Sequence, residues 1–112
     1  MDHQHAAELL AKERTRIEEG LSAAQSEGPL EGSERVEPGD RDSEDLYMDG
    51  LTAARVETLR TELAAVTRAE ERLAAGTYGL SVDSGAPIPD ERLEALPTAE
   101  RTLDEQQRYE RS

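Results

Sequence analysis

The stretch AAGTYGLSVDSGAPIPDERLEALPTAERTLDEQ, residues 74–106, decides how the chain folds. Its first half is dense in glycine, proline and serine, which favour tight turns. We therefore expect a turn-rich knuckle over residues 77–89, with at most two very short strands. Gly76, just before the knuckle, suits the left-handed position that ends a helix.

Two short helices are predicted after the knuckle. Asp90 can cap the first, and Pro97 stops it because proline cannot continue a helix. Thr98 can cap the second, which extends to about Tyr109. Six apolar side chains of this region are expected to pack together as its core: Leu80, Val82, Ile88, Leu93, Leu96 and Leu103.

Two long amphipathic segments precede the knuckle, at residues 1–30 and 51–76. Their apolar residues recur every three or four positions, the spacing of a coiled-coil seam. These residues are Ala6, Leu10, Ile17, Leu21 and Ala24 in the first segment, and Val56, Leu59, Leu63, Val66 and Leu73 in the second. When residues of the first segment are paired with residues of the second in reverse order, the two residue numbers of each pair add to nearly the same sum. Facing residues of two antiparallel helices show this relation. The pattern predicts an antiparallel coiled-coil hairpin.

Each seam is interrupted by one charged residue, Arg14 in the first and Glu70 in the second. The same sum places these two interruptions opposite each other. We predict an Arg14–Glu70 pair, which costs stability relative to apolar packing but fixes the register. The alternative is that both side chains extend into solvent.

The connection between the two segments is strongly acidic. Residues 31–50 carry 8 acids and 2 bases, a net charge of -6, together with several glycines and a proline. This composition predicts a mobile loop that forms the tip of the hairpin, at about residues 29–45. The hairpin then occupies residues 1–76, and a second domain occupies residues 77–112.

Length and charge exclude several classes of protein. The 112 residues carry 26 Asp+Glu against 13 Lys+Arg, a formal net charge of -13, which repels nucleic-acid phosphates and anionic membranes. There is no run of about 18 apolar residues and no basic region followed by an apolar one. We expect a cytoplasmic monomer without direct nucleic-acid or membrane contact.

The ordered residues of the stretch resemble the C-terminal module of the DksA/TraR family, bacterial regulators that bind RNA polymerase through its secondary channel. The resemblance rests on Gly76, Tyr78-Gly79, Gly85, Ile88-Pro89, Arg92-Leu93, Ala95, Pro97 and Ala99. It covers about residues 55–107. It implies a mainly α-helical fold, in which a coiled-coil hairpin is followed by a small zinc-finger-like module and a C-terminal helix.

The chain departs from the family at the metal site. The resemblance implies two Cys-x-x-Cys pairs that bind zinc, but the chain has no cysteine, and the four positions hold Ser81, Ser84, Thr102 and Glu105. The spacing survives, with 17 residues between the second and third positions. Neutral hydroxyls are poor zinc ligands, and one carboxylate cannot complete a tetrahedral site. We therefore predict a degenerate, metal-free module without a cofactor.

Loss of a structural metal must be offset elsewhere in the module. We expect the offset to come from packing of the apolar side chains, and from Ser81 and Ser84, whose hydroxyls can bind turn amides. The alternative is a knuckle that is partly disordered.

The resemblance also points to the tip of the hairpin, where the family presents Asp-x-x-Asp-x-Ala toward the polymerase active centre. The local match is Glu37-Pro38-Gly39-Asp40-Arg41-Asp42. Glu37 and Asp40 stand for the two aspartates, and Asp42 replaces the alanine. Such carboxylates could approach a catalytic Mg²⁺ or nearby basic groups. The alternative is a solvated loop that only keeps the helices soluble.

Two functions therefore remain open. The resemblance implies a non-enzymatic transcription regulator that binds RNA polymerase through the secondary channel. The alternative is an acidic helical-hairpin interaction module, a decoy or anti-activator, that has lost polymerase regulation. No histidine lies near Ser81 or Ser84 in sequence to act as a base, so hydrolytic catalysis is not expected.

Overall fold

The computed structural model describes the backbone of residues 1–26 and 43–111, and the side chains of residues 1–25 and 50–111. Its helices are α1 (His3–Ser26), α2 (Ser43–Ala75), α3 (Asp90–Ala95) and α4 (Leu103–Arg111). Extended pairing in the described residues is limited to an antiparallel bridge between Leu80 and Pro87. The fold is therefore mainly α-helical, as predicted. No helix in the described ranges is long and apolar enough to cross a membrane.

Helix α2 begins earlier than the sequence pattern predicted. It starts at Ser43, so residues 43–50 are helical instead of belonging to a loop. Gly50 is inside this helix, where a single glycine costs about 1 kcal/mol relative to alanine and does not end a long helix. The predicted end of the first segment, near residue 30, lies outside the described residues.

The chain divides into two compact units, residues 16–63 and residues 1–15 with 64–112. In the unit of residues 16–63, Ile17, Ala24 and Leu59 are buried between the two helices. The helices approach closely at Gly20, where an added Cβ would lie 3.3 Å from both methyl carbons of Leu59. Arg16 adds an exposed ion pair with Glu62, with an N···O distance of 3.4 Å.

The two helical glycines give a matched pair of stability predictions. Gly50→Ala should raise the free energy of unfolding by about 0.5–1 kcal/mol, because nothing lies within 4 Å of the added Cβ. Gly20→Ala should give a clearly smaller gain, because the Leu59 side chain must move. Urea denaturation of both variants measures the difference, and equal gains would show that the helices are not in close contact at Gly20.

In the unit of residues 1–15 and 64–112, the hairpin seam contains the predicted charged pair. Arg14 Nε donates to Glu70 Oε2 at 3.0 Å, and Arg14 Nη2 donates to Glu70 Oε1 at 2.6 Å. Arg14 Nη2 also donates to the hydroxyl of Thr67 at 3.0 Å. The pair is therefore bidentate, and the prediction is confirmed. It lies among four buried seam residues, Ala6, Leu10, Val66 and Ala69.

The same unit contains the C-terminal module, residues 77–111 as described. Its core consists of Ile88, Leu93 and Ala99, with Tyr78 packed against them. Tyr78 also donates its hydroxyl proton to the carbonyl oxygen of Pro97 at 2.7 Å, which satisfies the polar end of the ring. Gly79 has φ +87°, a backbone conformation that favours glycine, and it lies directly against Leu93.

The predicted apolar core of the module was largely wrong. Four of its six members are exposed: Leu80, Val82, Leu96 and Leu103. The core is filled instead by Tyr78 and Ala99, so fewer aliphatic side chains are needed. The exposed residues are then available on the surface of the module.

Both predicted helix caps in this region were also wrong. Helix α3 begins at Asp90 itself, with Pro89 at the cap position and no capping bond from a side chain. The Asp90 carboxylate instead accepts from the amino group of Met1 at 3.0 Å. Helix α4 begins at Leu103 and not after Thr98, because Thr102 provides a better cap, as described below.

Glu100 fastens the module to helix α2. Its carboxylate accepts from Arg68 Nε at 2.9 Å and from Arg72 Nη1 at 3.0 Å. The hydrogen bond from Arg68, followed by the positive charges of Arg68, Arg72 and Arg101, lowers the pKa of Glu100. Its backbone carbonyl accepts from Val82 N–H at 2.8 Å. One residue therefore contacts both the long helix and the knuckle.

Candidate functional site

The four positions that the resemblance assigns to zinc lie at two places in the module. Ser81 and Ser84 belong to the turn that follows Leu80, and Ser81 is buried. Thr102 directly precedes α4, and Glu105 is in the first turn of that helix.

The knuckle serines bind turn amides, as predicted. Ser81 Oγ accepts from the N–H groups of Asp83 at 3.1 Å and Ser84 at 3.2 Å. Ser84 Oγ accepts from Ala86 N–H at 3.2 Å. The backbone closes the same turn, because Ser81 N–H donates to the carbonyl oxygen of Ala86 at 2.8 Å. The turn is therefore held by its own hydroxyls.

Thr102 and Glu105 form a reciprocal capping box at the start of α4. Glu105 N–H donates to Thr102 Oγ1 at 3.3 Å, and Thr102 N–H donates to Glu105 Oε1 at 2.9 Å. This arrangement satisfies two backbone N–H groups that a helix start leaves without partners. The negative charge of Glu105 also lies at the positive end of the helix dipole.

The two knuckle serines also influence the Glu105 carboxyl group. Hydrogen bonds from the hydroxyls of Ser84 and Ser81, and from the backbone N–H of Thr102, lower the pKa of Glu105 from 4.5 to about 2. Hydrogen bonds to the ionised form of a carboxyl group favour that form. The other three former ligand positions therefore lower the pKa of this carboxyl group, whereas the hydrogen bonds with the distances given above lie within the knuckle turn and within the capping box.

These four positions do not fit a zinc ion. A structural zinc site uses four ligands drawn from thiolate, imidazole and carboxylate, whereas three of the four positions here are neutral hydroxyls. Ser81 Oγ already accepts from two amides, which occupies both lone pairs. In the described part of the chain, no group of three or more His, Cys, Asp or Glu side chains could hold a metal ion. The four positions form two local sets of hydrogen bonds and do not fit a metal centre.

The lowered pKa predicts an acid sensitivity of the module. A carboxyl group whose pKa is lower in the folded protein stabilises the fold above its unfolded pKa of 4.5 and loses that contribution as the pH falls toward 2. We expect the stability difference between the native chain and Glu105→Gln to shrink over this pH range. Amide exchange of the module in both chains, at pH 6 and at pH 3, measures this stability difference. A stability difference that does not change with pH would contradict the prediction.

Arg101 forms a second link between the knuckle and α4. Its Nε donates to Asp83 Oδ2 at 2.8 Å, and its guanidinium carbon lies 4.0 Å from the ring centroid of Tyr109. The backbone carbonyl of Arg101 accepts from Arg92 Nε at 2.9 Å, which adds a contact with α3. Sequence reasoning missed Arg101, because its partners lie 18 and 8 residues away in no recognisable motif.

An open cavity of about 530 Å³ lies on the surface of the module. It is lined by Pro87, Pro89, Glu91, Arg92, Ala95, Leu96, Thr102, Leu103 and Asp104. Two of these, Leu96 and Leu103, are 43% and 55% exposed. Sequence reasoning placed both leucines in the core and therefore missed this surface.

The predicted tip residues Glu37, Asp40 and Asp42 lie outside the described residues. Their role stays a prediction.

Comparison with known proteins gives three similarities. The family model "Prokaryotic dksA/traR C4-type zinc finger" matches residues 76–111. General stress protein 16O of Bacillus subtilis is 40% identical over 62 residues, which cover 54% of this chain and 38% of that protein's length. The structure of transcription factor DksA2 from Pseudomonas aeruginosa superposes with a TM-score of 0.73 over 97% of this chain and 83% of that one, at 24% identity.

The similarities agree with one another on the fold and the module. The superposition shows that the chain has the fold of that structure. The family match covers the module whose former ligand positions are described above. Residues 76–111 are thus similar to the dksA/traR C4-type zinc finger, and the four positions assigned to its zinc ligands hold no cysteine in this chain.

Proposed function

We propose that the chain is a transcription regulator that binds RNA polymerase through its secondary channel without contacting DNA. The observation that carries this proposal is the fold match, which extends over 97% of the chain and so includes the hairpin as well as the module. In this proposal the hairpin enters the channel and the module stays at the rim. A regulator of this kind acts in the cytoplasm, and we propose that it does so as a monomer.

The charge of the chain supports a protein partner over a nucleic acid. A net charge of -13 opposes binding to phosphate backbones, whose affinity depends on cationic side chains. In the described hairpin, Arg14 and Arg16 form ion pairs with Glu70 and Glu62. Arg68 and Arg72 are likewise engaged by Glu100. Because these four guanidinium groups are paired with carboxylates, they do not form a basic surface at those positions.

We propose that the cavity of the module is one of its contacts with the polymerase. Exposed leucines in a chain this charged are a candidate protein-binding surface, because monomeric proteins rarely leave large apolar patches uncovered. The cavity is bordered by the carboxylates of Glu91 and Asp104, whereas the guanidinium of Arg92 is bound to the backbone of Arg101. The surface therefore fits an apolar partner segment flanked by basic side chains.

Binding to purified core RNA polymerase tests the proposal. The chain should bind at micromolar concentration in low salt, and another secondary-channel factor should compete with it. Leu96→Ser combined with Leu103→Ser should weaken binding about tenfold or more if these side chains contact the partner. Val82→Ser is the matched control, because Val82 is equally exposed but does not line the cavity. No binding under these conditions would rule the proposal out.

The effect of the tip residues on transcription is tested separately from their effect on the affinity for RNA polymerase. Asp40→Asn with Asp42→Asn should change transcription output with little loss of binding if these residues and Glu37 act near the polymerase active centre. A collapse of affinity would show instead that the acidic tip is a docking patch. That outcome would favour the alternative of an acidic interaction module, a decoy or anti-activator.

A further inference from the structure

The module follows helix α2 after an open turn. The carbonyl oxygen of Arg72 accepts from the N–H groups of Thr77 at 2.9 Å and Tyr78 at 3.2 Å. Gly76, which precedes them, has φ +82°, and nothing lies within 4 Å of the position of a Cβ there. Two backbone hydrogen bonds therefore hold this turn, and side-chain packing does not restrict it at Gly76.

One side chain of the module spans the turn and reaches back to α2. Glu100 accepts from Arg68 Nε at 2.9 Å, from Arg68 Nη2 at 3.4 Å and from Arg72 Nη1 at 3.0 Å. The backbone carbonyl of Glu100 accepts from Val82 N–H at 2.8 Å, within the module. Glu100 is therefore fixed in the module by its backbone and on α2 by its side chain.

The contact between Glu100 and Arg72 is largely shielded from solvent. Their side chains are 22% and 14% exposed. Arg72 Nη2 is buried and has no hydrogen-bond partner among the described residues. A shielded ion pair is screened less than an exposed one, and removal of one partner leaves the other charge uncompensated. Glu100 therefore supplies the counter-charge on which Arg72 depends.

Two further ion pairs join the module to helix α1, and both are more exposed. Glu94 is paired with His5, and Asp90 accepts from the amino group of Met1 at 3.0 Å. Both of these carboxylates are half or more exposed, and exposed ion pairs contribute little to stability. The contact of Glu100 with α2 should therefore be the strongest of the ionic contacts described between the module and the hairpin helices.

We propose that Glu100, through Arg72 and Arg68, is the positioning residue that holds the module in one orientation on the end of helix α2. The buried apolar cluster of the module consists of module residues alone, so the module does not need Glu100 to fold. Glu100 contributes the direction in which the folded module leaves the helix. Without this carboxylate the module stays folded and turns about Gly76.

The orientation of the module has a consequence for polymerase binding. The effect on binding rests on the proposed function, whereas the orientation itself does not. A hairpin in the channel and a module at the rim can both make contact only when the module points in the right direction. Two contacts reinforce each other when they belong to one preorganised body, so a module that turns freely should bind about tenfold more weakly.

Residual dipolar couplings of the full chain test the proposal. In the native chain, the backbone amides of residues 64–75 and 77–111 should fit a single alignment tensor, because the two segments keep one relative orientation. In Glu100→Gln they should require two tensors. Exchange of the Thr77 and Tyr78 amides should also become about tenfold faster, the loss expected for one hydrogen bond to a charged group. A single tensor in Glu100→Gln would overturn the proposal.

The amides of Leu93 and Ala99 distinguish a module that turns from one that unfolds. They donate to the carbonyl oxygens of Pro89 and Leu96 within the module. Their exchange should therefore be the same in Glu100→Gln as in the native chain. Faster exchange at these amides as well would show that Glu100 maintains the fold of the module and not its orientation, and would overturn the proposal.

Glu110→Gln is the matched control for the loss of charge. It removes the same charge from the module at a residue whose side chain accepts from Gln106, one turn earlier on α4. The couplings and the exchange of the Thr77 and Tyr78 amides should match those of the native chain. The same changes in Glu110→Gln as in Glu100→Gln would contradict the proposal.

Arg72→Lys keeps the test decisive if Glu100→Gln does not fold. Lysine keeps the positive charge and leaves Glu100 its hydrogen bonds with Arg68, so the module should fold. Exchange of the Tyr78 amide should still become about threefold faster, because lysine does not reproduce the directed bond of the guanidinium. The same change at the exposed Arg60 of α2 is the control, and equal exchange in the two variants would overturn the proposal.

Binding to core RNA polymerase separates this proposal from the proposed function. Glu100→Gln should bind about tenfold more weakly than the native chain, and Glu110→Gln should bind as tightly as the native chain. If the native chain does not bind, the proposed function fails, and the couplings still decide the orientation. Equal binding by Glu100→Gln and the native chain would show that the orientation is not needed for binding.

Discussion

Leu93→Ala is expected to unfold the C-terminal module while leaving the hairpin helices intact. Leu93 is 1% exposed and belongs to the small cluster with Ile88 and Ala99. Truncation of a buried leucine costs about 3 kcal/mol, from the lost transfer free energy and the cavity that remains. So large a loss is a major part of the stability of so small a core. Nuclear magnetic resonance of the backbone amides would show loss of dispersion for the module alone.

Leu103→Ala is the matched control for this prediction. Leu103 belongs to the same module but is 55% exposed, so its truncation should cost less than about 0.5 kcal/mol. Both variants remove the same atoms and differ only in burial. Equal effects of the two changes would contradict the assignment of the core.

The second large effect is expected at the charged pair of the hairpin seam. Arg14→Leu or Glu70→Leu alone should destabilise the hairpin by about 1–2 kcal/mol, because each removes both hydrogen bonds of the bidentate pair from a partner that is part-buried. Their side chains are 30% and 38% exposed, which places the cost below that of a fully buried pair. Urea denaturation of the single variants measures these losses.

The combined variant distinguishes a pair from two independent charges. With both residues replaced by leucine, the seam becomes continuous and apolar, and the stability should return to about that of the native chain. The cost should then appear as lost specificity, because a uniform seam no longer favours one register or one partner. Sedimentation would detect the resulting oligomers. If the loss of stability in the double variant equals the sum of the losses in the two single variants, Arg14 and Glu70 do not interact.

The hairpin could be predicted from the sequence because its signal is periodic. Apolar residues at coiled-coil spacing define the seams, and the two charged interruptions coincide only in one register. Ala69 was missed as a buried residue, since alanine is frequent along both helices and carries little information about which face is covered. The early start of α2 was missed because Gly50 was given too much weight as a helix breaker.

The module was harder to predict because its chain is irregular and has no period. Burial there depends on contacts between distant residues, so Leu96 and Leu103 were placed in the core although they lie on the surface. The start of α4 carried a usable signal, the Thr102-x-x-Glu105 pattern of a capping box, but Thr98 offered a competing cap four residues earlier. The link through Arg101 had no local signal at all.

The capping box at Thr102 and Glu105 has a consequence for how such a module can change over evolution. A Cys-x-x-Cys pair and a capping box both need two side chains three residues apart at the same helix start. A chain can therefore exchange one for the other without inserting or deleting a residue and without moving α4. Related chains that carry Ser-x-x-Ser and Thr-x-x-Glu separated by 17 residues should keep this fold, although a search for cysteines would pass over them.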